Sequence, residues 1–230
     1  MTTELSAEKY YDLLASRYDE ATKSNSTWSP PSQVAKALSG FNQPRDNVLI
    51  VGIGTGSDLP ALQDFATQFI EGIDISRLML DECAKKYPTV ILHHGEFMTY
   101  TNFARSAYDL IICSGTLEFI ADFDGFFLKC ARLLAPEGAL LLTYEPVIYG
   151  HAWQNDAESD TMGINAEKAG FVGFKTFRRT LHQYDVATLG AKLQTTEHFS
   201  FIAYKKASVD IIYNFAICKR RQRRQTTVWS

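Results

Sequence analysis

The sequence predicts one α/β domain built around a parallel β-sheet with helices on both faces. A chain of 230 residues with 46% apolar residues can bury one sizeable core, which fits a single domain over 1–230 better than two. Short apolar runs alternate with segments of helical periodicity, and this alternation is typical of parallel sheets covered by helices. A glycine-rich turn directly follows the first apolar run. Since ligands bind such sheets beyond the carboxyl ends of the strands, we expect a ligand site there.

The first helix is predicted from a stripe of large side chains near the N-terminus. From 7 to 19, Tyr11, Leu14 and Tyr18 recur at helical spacing and indicate an amphipathic helix. This helix belongs to a region, 1–32, that we expect to form a cap over the rest of the domain.

The remaining elements follow from periodicity and from their start and stop residues. Ser29-Pro30-Pro31 favours a helix start and Gly40 a helix end. In chain order we predict a helix over 30–40, a strand over 48–51, a helix over 59–65, a strand over 69–74, a helix over 78–86, strands over 90–93 and 108–114, a helix over 123–134, a strand over 139–143, a helix over 185–192, and strands over 199–204 and 210–218.

The loop after the first strand has glycine at every second position, Gly52, Gly54 and Gly56. Without a Cβ, the backbone can take positive φ values and lie flat against a ligand. The next apolar segment ends in Asp74, whose carboxylate can accept both hydroxyls of a ribose. A dinucleotide fingerprint requires glycine or alanine at the position that Ser57 occupies. The pattern therefore indicates a nucleoside ligand and disfavours NAD.

From about Tyr10 to Glu145 the sequence resembles the class I methyltransferases that use S-adenosylmethionine. The glycine loop resembles their motif I, the segment 108–114 their fourth strand, and the segment 133–138 the turn before their fifth strand. This resemblance implies a Rossmann-like, seven-stranded, mostly parallel sheet with an antiparallel C-terminal strand. It also implies S-adenosylmethionine as the cofactor, with no metal, and contacts to it from Tyr18, Gly52, Gly54, Thr55, Gly56, Asp74, Ile75, Glu96, Phe97 and Ser114.

The resemblance assigns roles to several of these side chains. Tyr18 ends a tyrosine-aspartate segment that caps the cofactor site in many small-molecule methyltransferases. Asp74 corresponds to the ribose-binding acid. Glu96 corresponds to the acid that accepts from the adenine amino group, and Phe97 to the apolar neighbour that covers the ring.

The sequence departs from the family at Ile50, where an acidic residue usually precedes the glycine loop by two positions. In the family that carboxylate helps to hold the loop or the methionine amino group, so an acceptor is missing here. Asp58 is a conceivable substitute, although a residue in the first turn of the following helix also suits a favourable interaction with the helix dipole.

Composition limits the classes of partner and the compartment. The formal charge of −3 provides no overall attraction to nucleic acid, and the basic segment 219–230 is interpreted as a solvated tail. The four cysteines have neither C-x-x-C spacing nor histidine neighbours suited to zinc, and are expected to be reduced thiols. No apolar stretch suits a signal peptide or a membrane span, so we expect a cytoplasmic protein that does not bind membranes.

Candidate catalytic residues lie after the fifth predicted strand. A hydroxyl or carbon acceptor needs a base near the operating pH, and histidine is the usual one. His151 is the first candidate and His182 the second; Glu145, at the expected pocket floor, is the third. The surrounding segment 146–184 is interpreted as a substrate-side insertion.

These observations predict methyl transfer from S-adenosylmethionine to a small metabolite, through oxygen, nitrogen or carbon. The segment after the fourth strand, Ser114-Gly115-Thr116-Leu117, lacks the motif of enzymes that methylate nucleic-acid amino groups. Three alternatives stay open: a protein methyltransferase, a cofactor-binding regulatory or scaffold protein without turnover, and an NAD-dependent oxidoreductase. The oligomeric state is not determined by the sequence.

Overall fold

The computed structural model describes residues 6–24, 29–41, 45–63, 65, 69–105, 107–120, 122–144, 193–206 and 209–220. The helices are α1 (Ala7–Ser24), α2 (Pro30–Ser39), α3 (Leu59–Gln63), α4 (Arg77–Lys86) and α5 (Phe123–Leu133), with a 3₁₀ turn at Leu117–Phe119. The strands are β1 (Asn47–Val51), β2 (Phe69–Asp74), β3 (Ile91–His94), β4 (Tyr108–Ser114), β5 (Leu134–Tyr144), β6 (Leu193–Lys206) and β7 (Val209–Arg220).

The strands form a mixed sheet in the order β3-β2-β1-β4-β5-β7-β6. Strands β1 to β5 pair in parallel, whereas β7 is antiparallel to both β5 and β6. The predicted α/β class, with parallel strands and an antiparallel strand near the C-terminus, is confirmed. Because the chain moves outward from β1 to β2 and β3 and then returns to β4, the strand order reverses between β1 and β4. That point is where open α/β sheets bind ligands.

The strand register brings three predicted site residues to one edge of the sheet. Val51 of β1 pairs with Ile73 of β2 and with Cys113 of β4. The next residue of each strand, Gly52, Asp74 or Ser114, therefore lies at the same level along the carboxyl edge.

Side chains of β1 alternate between two cores on opposite faces of the sheet. Leu49 and Val51 pack in a cluster with Phe126 and other residues of α5. Val48 and Ile50 pack on the other face, in a cluster with residues of α2, α3 and α4. This period of two is the geometry of a strand that is buried on both faces. Helices therefore cover both faces, as the sequence predicts.

The elements near the C-terminus are longer than the sequence pattern indicates. β5 begins at Leu134, and its pairing with β4 jumps from Tyr108–Leu134 to Leu110–Ala139, so the residues predicted as a turn form an irregularity within the strand. Lys219 and Arg220 are paired residues of β7. The prediction that they belong to a solvated tail was therefore wrong. Apolar periodicity stops where the polar ends of these strands begin, although backbone pairing continues.

Candidate functional site

A cavity of about 900 Å³ opens at the carboxyl edge of the sheet. This volume includes space that is open to solvent, so the cavity is an open cleft. Eight predicted cofactor residues line it: Tyr18, Gly52, Gly54, Asp74, Ile75, Glu96, Phe97 and Ser114. The sequence pattern thus predicted side chains from four separate strand ends, and the fold brings them to one pocket.

Asp74 joins the glycine loop to the end of β2. Its Oδ2 accepts a hydrogen bond from the Gly54 N–H at 2.8 Å, and its Oδ1 accepts one from the Ser76 N–H at 2.9 Å. Burial raises the pKa of Asp74 above its ordinary value, against the backbone N–H groups that lower it. Each carboxylate oxygen retains a second lone pair, so Asp74 can hold the loop and still accept from a ligand hydroxyl.

The glycines of the loop serve different purposes. Gly52 has a φ of 72°, and a Cβ there would lie 1.9 Å from the Thr116 Oγ1, so the close approach of the segment after β4 requires glycine. Gly54 has a φ of 54°, and a Cβ there would meet nothing within 4 Å. The backbone at Gly54 therefore faces open cavity, which is the cradle that a flat-lying ligand needs.

The segment after β3 forms the opposite wall of the cavity. Phe97 is buried, whereas Glu96 is exposed beside it. Lys129 of α5 donates hydrogen bonds to the carbonyl oxygens of Phe97, Met98 and Tyr100, and its ammonium lies 4.8 Å from the centre of the Phe97 ring. Lys129 therefore fixes the backbone of the segment that brings Glu96 and Phe97 to the cavity.

Helix α1 closes another side of the cavity. It contributes Ala7, Tyr11 and Tyr18 to the lining, and the Tyr11 ring lies 5.7 Å from the Phe119 ring of the 3₁₀ turn. Burial, followed by the nearby charges of Asp58, Asp74 and Asp19, raises the pKa of Tyr18, so its phenol stays neutral.

Comparisons with known proteins identify this arrangement. Residues 49–142 match a family model described as a methyltransferase domain. That region contains the glycine loop, Asp74, Glu96, Phe97 and Ser114. Over these residues the chain is similar to a methyltransferase domain, and its fold is similar to that of solved methyltransferases. The resemblance predicted from the sequence is thereby confirmed.

Solved methyltransferase structures share the fold at low sequence identity. The N-methyltransferase NodS from Bradyrhizobium japonicum, in complex with S-adenosylhomocysteine, is 14% identical with a TM-score of 0.67, and the match covers 94% of this chain and 98% of that one. Magnesium protoporphyrin IX methyltransferase from Synechocystis is 18% identical with a TM-score of 0.60, covering 88% and 86%. A third structure is a complex between the Haloferax volcanii Trm112 methyltransferase activator and a candidate methyltransferase. It is 15% identical with a TM-score of 0.69, and the match covers 95% of this chain and 99% of that one. No curated protein matches the chain.

Two predicted cofactor residues, Thr55 and Gly56, are not among the described residues that line the cavity. The Thr55 hydroxyl instead donates to the Asp19 carboxylate of α1 at 2.6 Å. A Cβ on Gly56 would lie within 3.0 Å of side-chain atoms of Leu59, Tyr87 and Cys83. Both residues therefore support the loop from behind, where the alternating glycine pattern does not distinguish them from residues that face the ligand.

The position of the missing family acid is filled with hydrocarbon. Ile50 is 1% exposed and packs in the core on the α2, α3 and α4 face of the sheet. Asp58, the conceivable substitute, is 6% exposed, and its Oδ1 has no hydrogen-bond partner among the described residues. Burial raises the pKa of Asp58 to about 7. A buried carboxyl oxygen without a partner among the described residues costs stability, so the simple interpretation as a partner of the helix dipole does not explain this residue.

A buried polar network below the Phe97 wall was not predicted. The Glu71 carboxylate accepts from the Tyr108 hydroxyl at 2.6 Å, the Ala104 N–H at 2.9 Å and the His93 Nε2 at 2.6 Å. The Tyr100 hydroxyl lies 2.8 Å from the His93 Nδ1. This network fixes the segment between β3 and β4 to the sheet. A glutamate inside an apolar strand was the available sequence signal.

Further lining residues were also missed, among them Met79, Met98, Thr116, Phe119 and Ile120. They are ordinary apolar or small side chains, and only their position after a strand end could have indicated them.

The predicted catalytic residues Glu145, His151 and His182 lie outside the described residues, as do the insertion 146–184 and the predicted helix 185–192. All four cysteines are buried free thiols. Within the described segments, no helix combines the length and apolarity needed to cross a membrane.

Proposed function

We propose that this methyltransferase transfers a methyl group from S-adenosylmethionine to oxygen, nitrogen or carbon of a small-molecule metabolite. The observation that carries the cofactor site is the pairing of the open backbone at Gly54 with the Asp74 carboxylate. The bare peptide would support the methionine and ribose parts, and Asp74 would accept from the ribose hydroxyls. Glu96 and Phe97 stand where the adenine would lie.

The acceptor side of the cavity supports the small-molecule class. Tyr11, Phe119 and Ile120 line the cavity and would face the acceptor. Such apolar walls exclude water and so raise the reactivity of a nucleophile that they hold in place. The neighbours NodS and magnesium protoporphyrin IX methyltransferase support the same class by their named activities.

The chemistry requires alignment more than covalent help from the protein. Bound S-adenosylmethionine supplies an electrophilic methyl group: its carbon–sulfur bond breaks with the electron pair passing to sulfur, as the acceptor forms the new bond to carbon. The walls around Tyr11 and Phe119 would hold the acceptor in line. For an acceptor that loses a proton, His151, then His182 or Glu145, remain the proposed bases.

Calorimetric titration with S-adenosylhomocysteine tests the site. Asp74→Ala is expected to weaken binding by roughly 1.5 to 3 kcal/mol, the range for a lost hydrogen bond to a charged group. Asp74→Asn keeps one acceptor oxygen and is expected to lose less. Asp81→Ala, which removes an exposed carboxylate of α4, is the matched control. Thermal melts of each variant separate lost binding from lost folding. An Asp74→Ala dissociation constant equal to that of the wild type would refute the ribose placement.

Incubation with a metabolite library distinguishes the proposed activity from its alternatives. Methyl transfer to a small molecule supports the proposal, and transfer only to polypeptides favours a protein methyltransferase. Tight binding of S-adenosylhomocysteine without any methyl transfer favours a regulatory or scaffold protein. Ile50 supports this alternative, because it replaces the acidic residue that the family usually has at this position. Saturable binding of NADH, with none of S-adenosylhomocysteine, would restore the oxidoreductase.

A further inference from the structure

We propose that Asp12 and Asp19 are positioning residues that fasten α1 across the cofactor cavity, so that cofactor affinity depends on two carboxylates that do not line it. The inference rests on the proposed function, because it assumes that the cavity holds the cofactor. Asp12 and Asp19 belong neither to the glycine loop nor to the predicted ribose-binding position.

Asp12 connects α1 to Ser76, which lies two positions after the predicted ribose acid, Asp74. Its Oδ1 accepts from the Ser76 hydroxyl at 2.6 Å and from the Leu78 N–H at 3.2 Å. The Ser76 N–H in turn donates to the Asp74 Oδ1 at 2.9 Å. Asp12 also places its charge in the first turn of α4, where an anion is favourable. One end of α1 is therefore linked through a single serine to Asp74.

Asp19 makes the corresponding connection to the glycine loop. It follows Asp12 by close to two helical turns and so lies on the same face of α1. Its Oδ1 accepts from the Thr55 hydroxyl at 2.6 Å, and its Oδ2 pairs with the Lys86 ammonium of α4. Burial alone would raise the pKa of Asp19, but the bonds from Lys86 and Thr55 and the charges of Lys86 and Lys23 hold it below its ordinary value. Asp19 is thus ionised at neutral pH.

Between the two carboxylates, α1 is seated by an apolar contact. Leu14 and Ala15 are buried against Met79 of α4. With this face docked, Tyr11 and Tyr18 are directed into the cavity lining. A ligand in the cavity therefore touches α1, whereas Asp12 and Asp19 act only by holding α1 in place.

This arrangement couples ligand binding to the docking of α1. A ligand that contacts Tyr11 and Tyr18 stabilises the docked helix, and by linkage the docked helix raises ligand affinity by the same factor. Loss of either carboxylate is expected to raise the dissociation constant of S-adenosylhomocysteine about tenfold, the lower end for hydrogen bonds to a charged group.

The test compares Asp12→Ala, Asp19→Ala and the double variant with the wild type by calorimetry and stopped-flow dissociation of S-adenosylhomocysteine. Glu20→Gln, on an exposed position of the same helix, is the matched control. Amide hydrogen exchange along α1 is followed with and without the ligand. We expect the ligand to slow exchange in wild-type α1, both Asp variants to bind about tenfold more weakly, and Glu20→Gln to behave as wild type.

A second measurement separates positioning from general destabilisation. Thr55→Val removes the same hydrogen bond as Asp19→Ala, so the double variant Asp19→Ala/Thr55→Val is expected to lose less affinity than the two single losses combined. Fully additive losses would overturn the assigned contact. Wild-type affinity in Asp12→Ala/Asp19→Ala would overturn the inference while leaving the proposed function intact. Failure of the wild type to bind S-adenosylhomocysteine would instead refute the proposed function.

Discussion

Replacement of Asp58 by asparagine is expected to remove a decrease in the free energy of unfolding that occurs in the wild type as the pH rises. Asp58 is 6% exposed, and its Oδ1 has no hydrogen-bond partner within the described part of the chain. Burial raises its pKa from 3.8 to about 7. At about 1.4 kcal/mol for each tenfold change in proton affinity, this difference corresponds to about 4 kcal/mol.

The sign of the effect follows from where the proton is bound. Between about pH 4 and pH 7 the folded protein keeps the Asp58 proton, whereas the unfolded chain has released it. The stabilisation is therefore complete below the ordinary pKa of 3.8 and is lost as the pH rises through about 7. Asparagine has nearly the same shape and no charge, so Asp58→Asn lacks this slope. The advantage of the variant is expected to grow by about 4 kcal/mol from acid to pH 8.

Urea unfolding of both proteins at pH 5, 6, 7 and 8 measures about 3 kcal/mol of this difference, the part that develops above pH 5, because contributions from all other groups cancel between them. Asp81→Asn, at an exposed site of α4, controls for the loss of a carboxylate as such. Parallel stability curves for the wild type and Asp58→Asn across this pH range would refute the reasoning. They would mean that water or a side chain solvates the Asp58 carboxylate in the folded protein.

Two further substitutions examine the cavity and its support. Gly54→Ala is expected to cost about 1 kcal/mol of stability, because the backbone φ at this position is positive, and to weaken S-adenosylhomocysteine binding about 10- to 100-fold, because the added methyl group occupies the cavity. Calorimetry measures the affinity, with Gly40→Ala as the control. An unchanged affinity of Gly54→Ala would contradict this expectation. Glu71→Gln is expected to destabilise the fold by about 3 kcal/mol, because a carboxamide cannot accept from every donor around Glu71. Equal urea midpoints for this variant and the exposed control Glu82→Gln would count against the network.

The local pattern of the chain was sufficient for the sheet and for the cofactor side of the site. Gly54 and Asp74 were assigned to one ligand although 20 positions separate them, and the structure joins them by a hydrogen bond. This worked because parallel strands expose their carboxyl ends at one edge, so residues that follow strands converge. The same logic does not reach Thr116 or Phe119, whose types are common in any loop.

What the sequence determined by itself is the class of fold, the glycine loop and the side chains at four strand ends, since each depends on short-range periodicity and backbone freedom. Only the tertiary structure decided which loop residues face the cavity, and it turned Thr55 toward Asp19 instead. It also decided that Ile50 lies in hydrocarbon and that Asp58 is buried without a partner for its Oδ1. These outcomes depend on contacts between side chains that are distant in the sequence, and the spacing of residues along the chain does not predict such contacts.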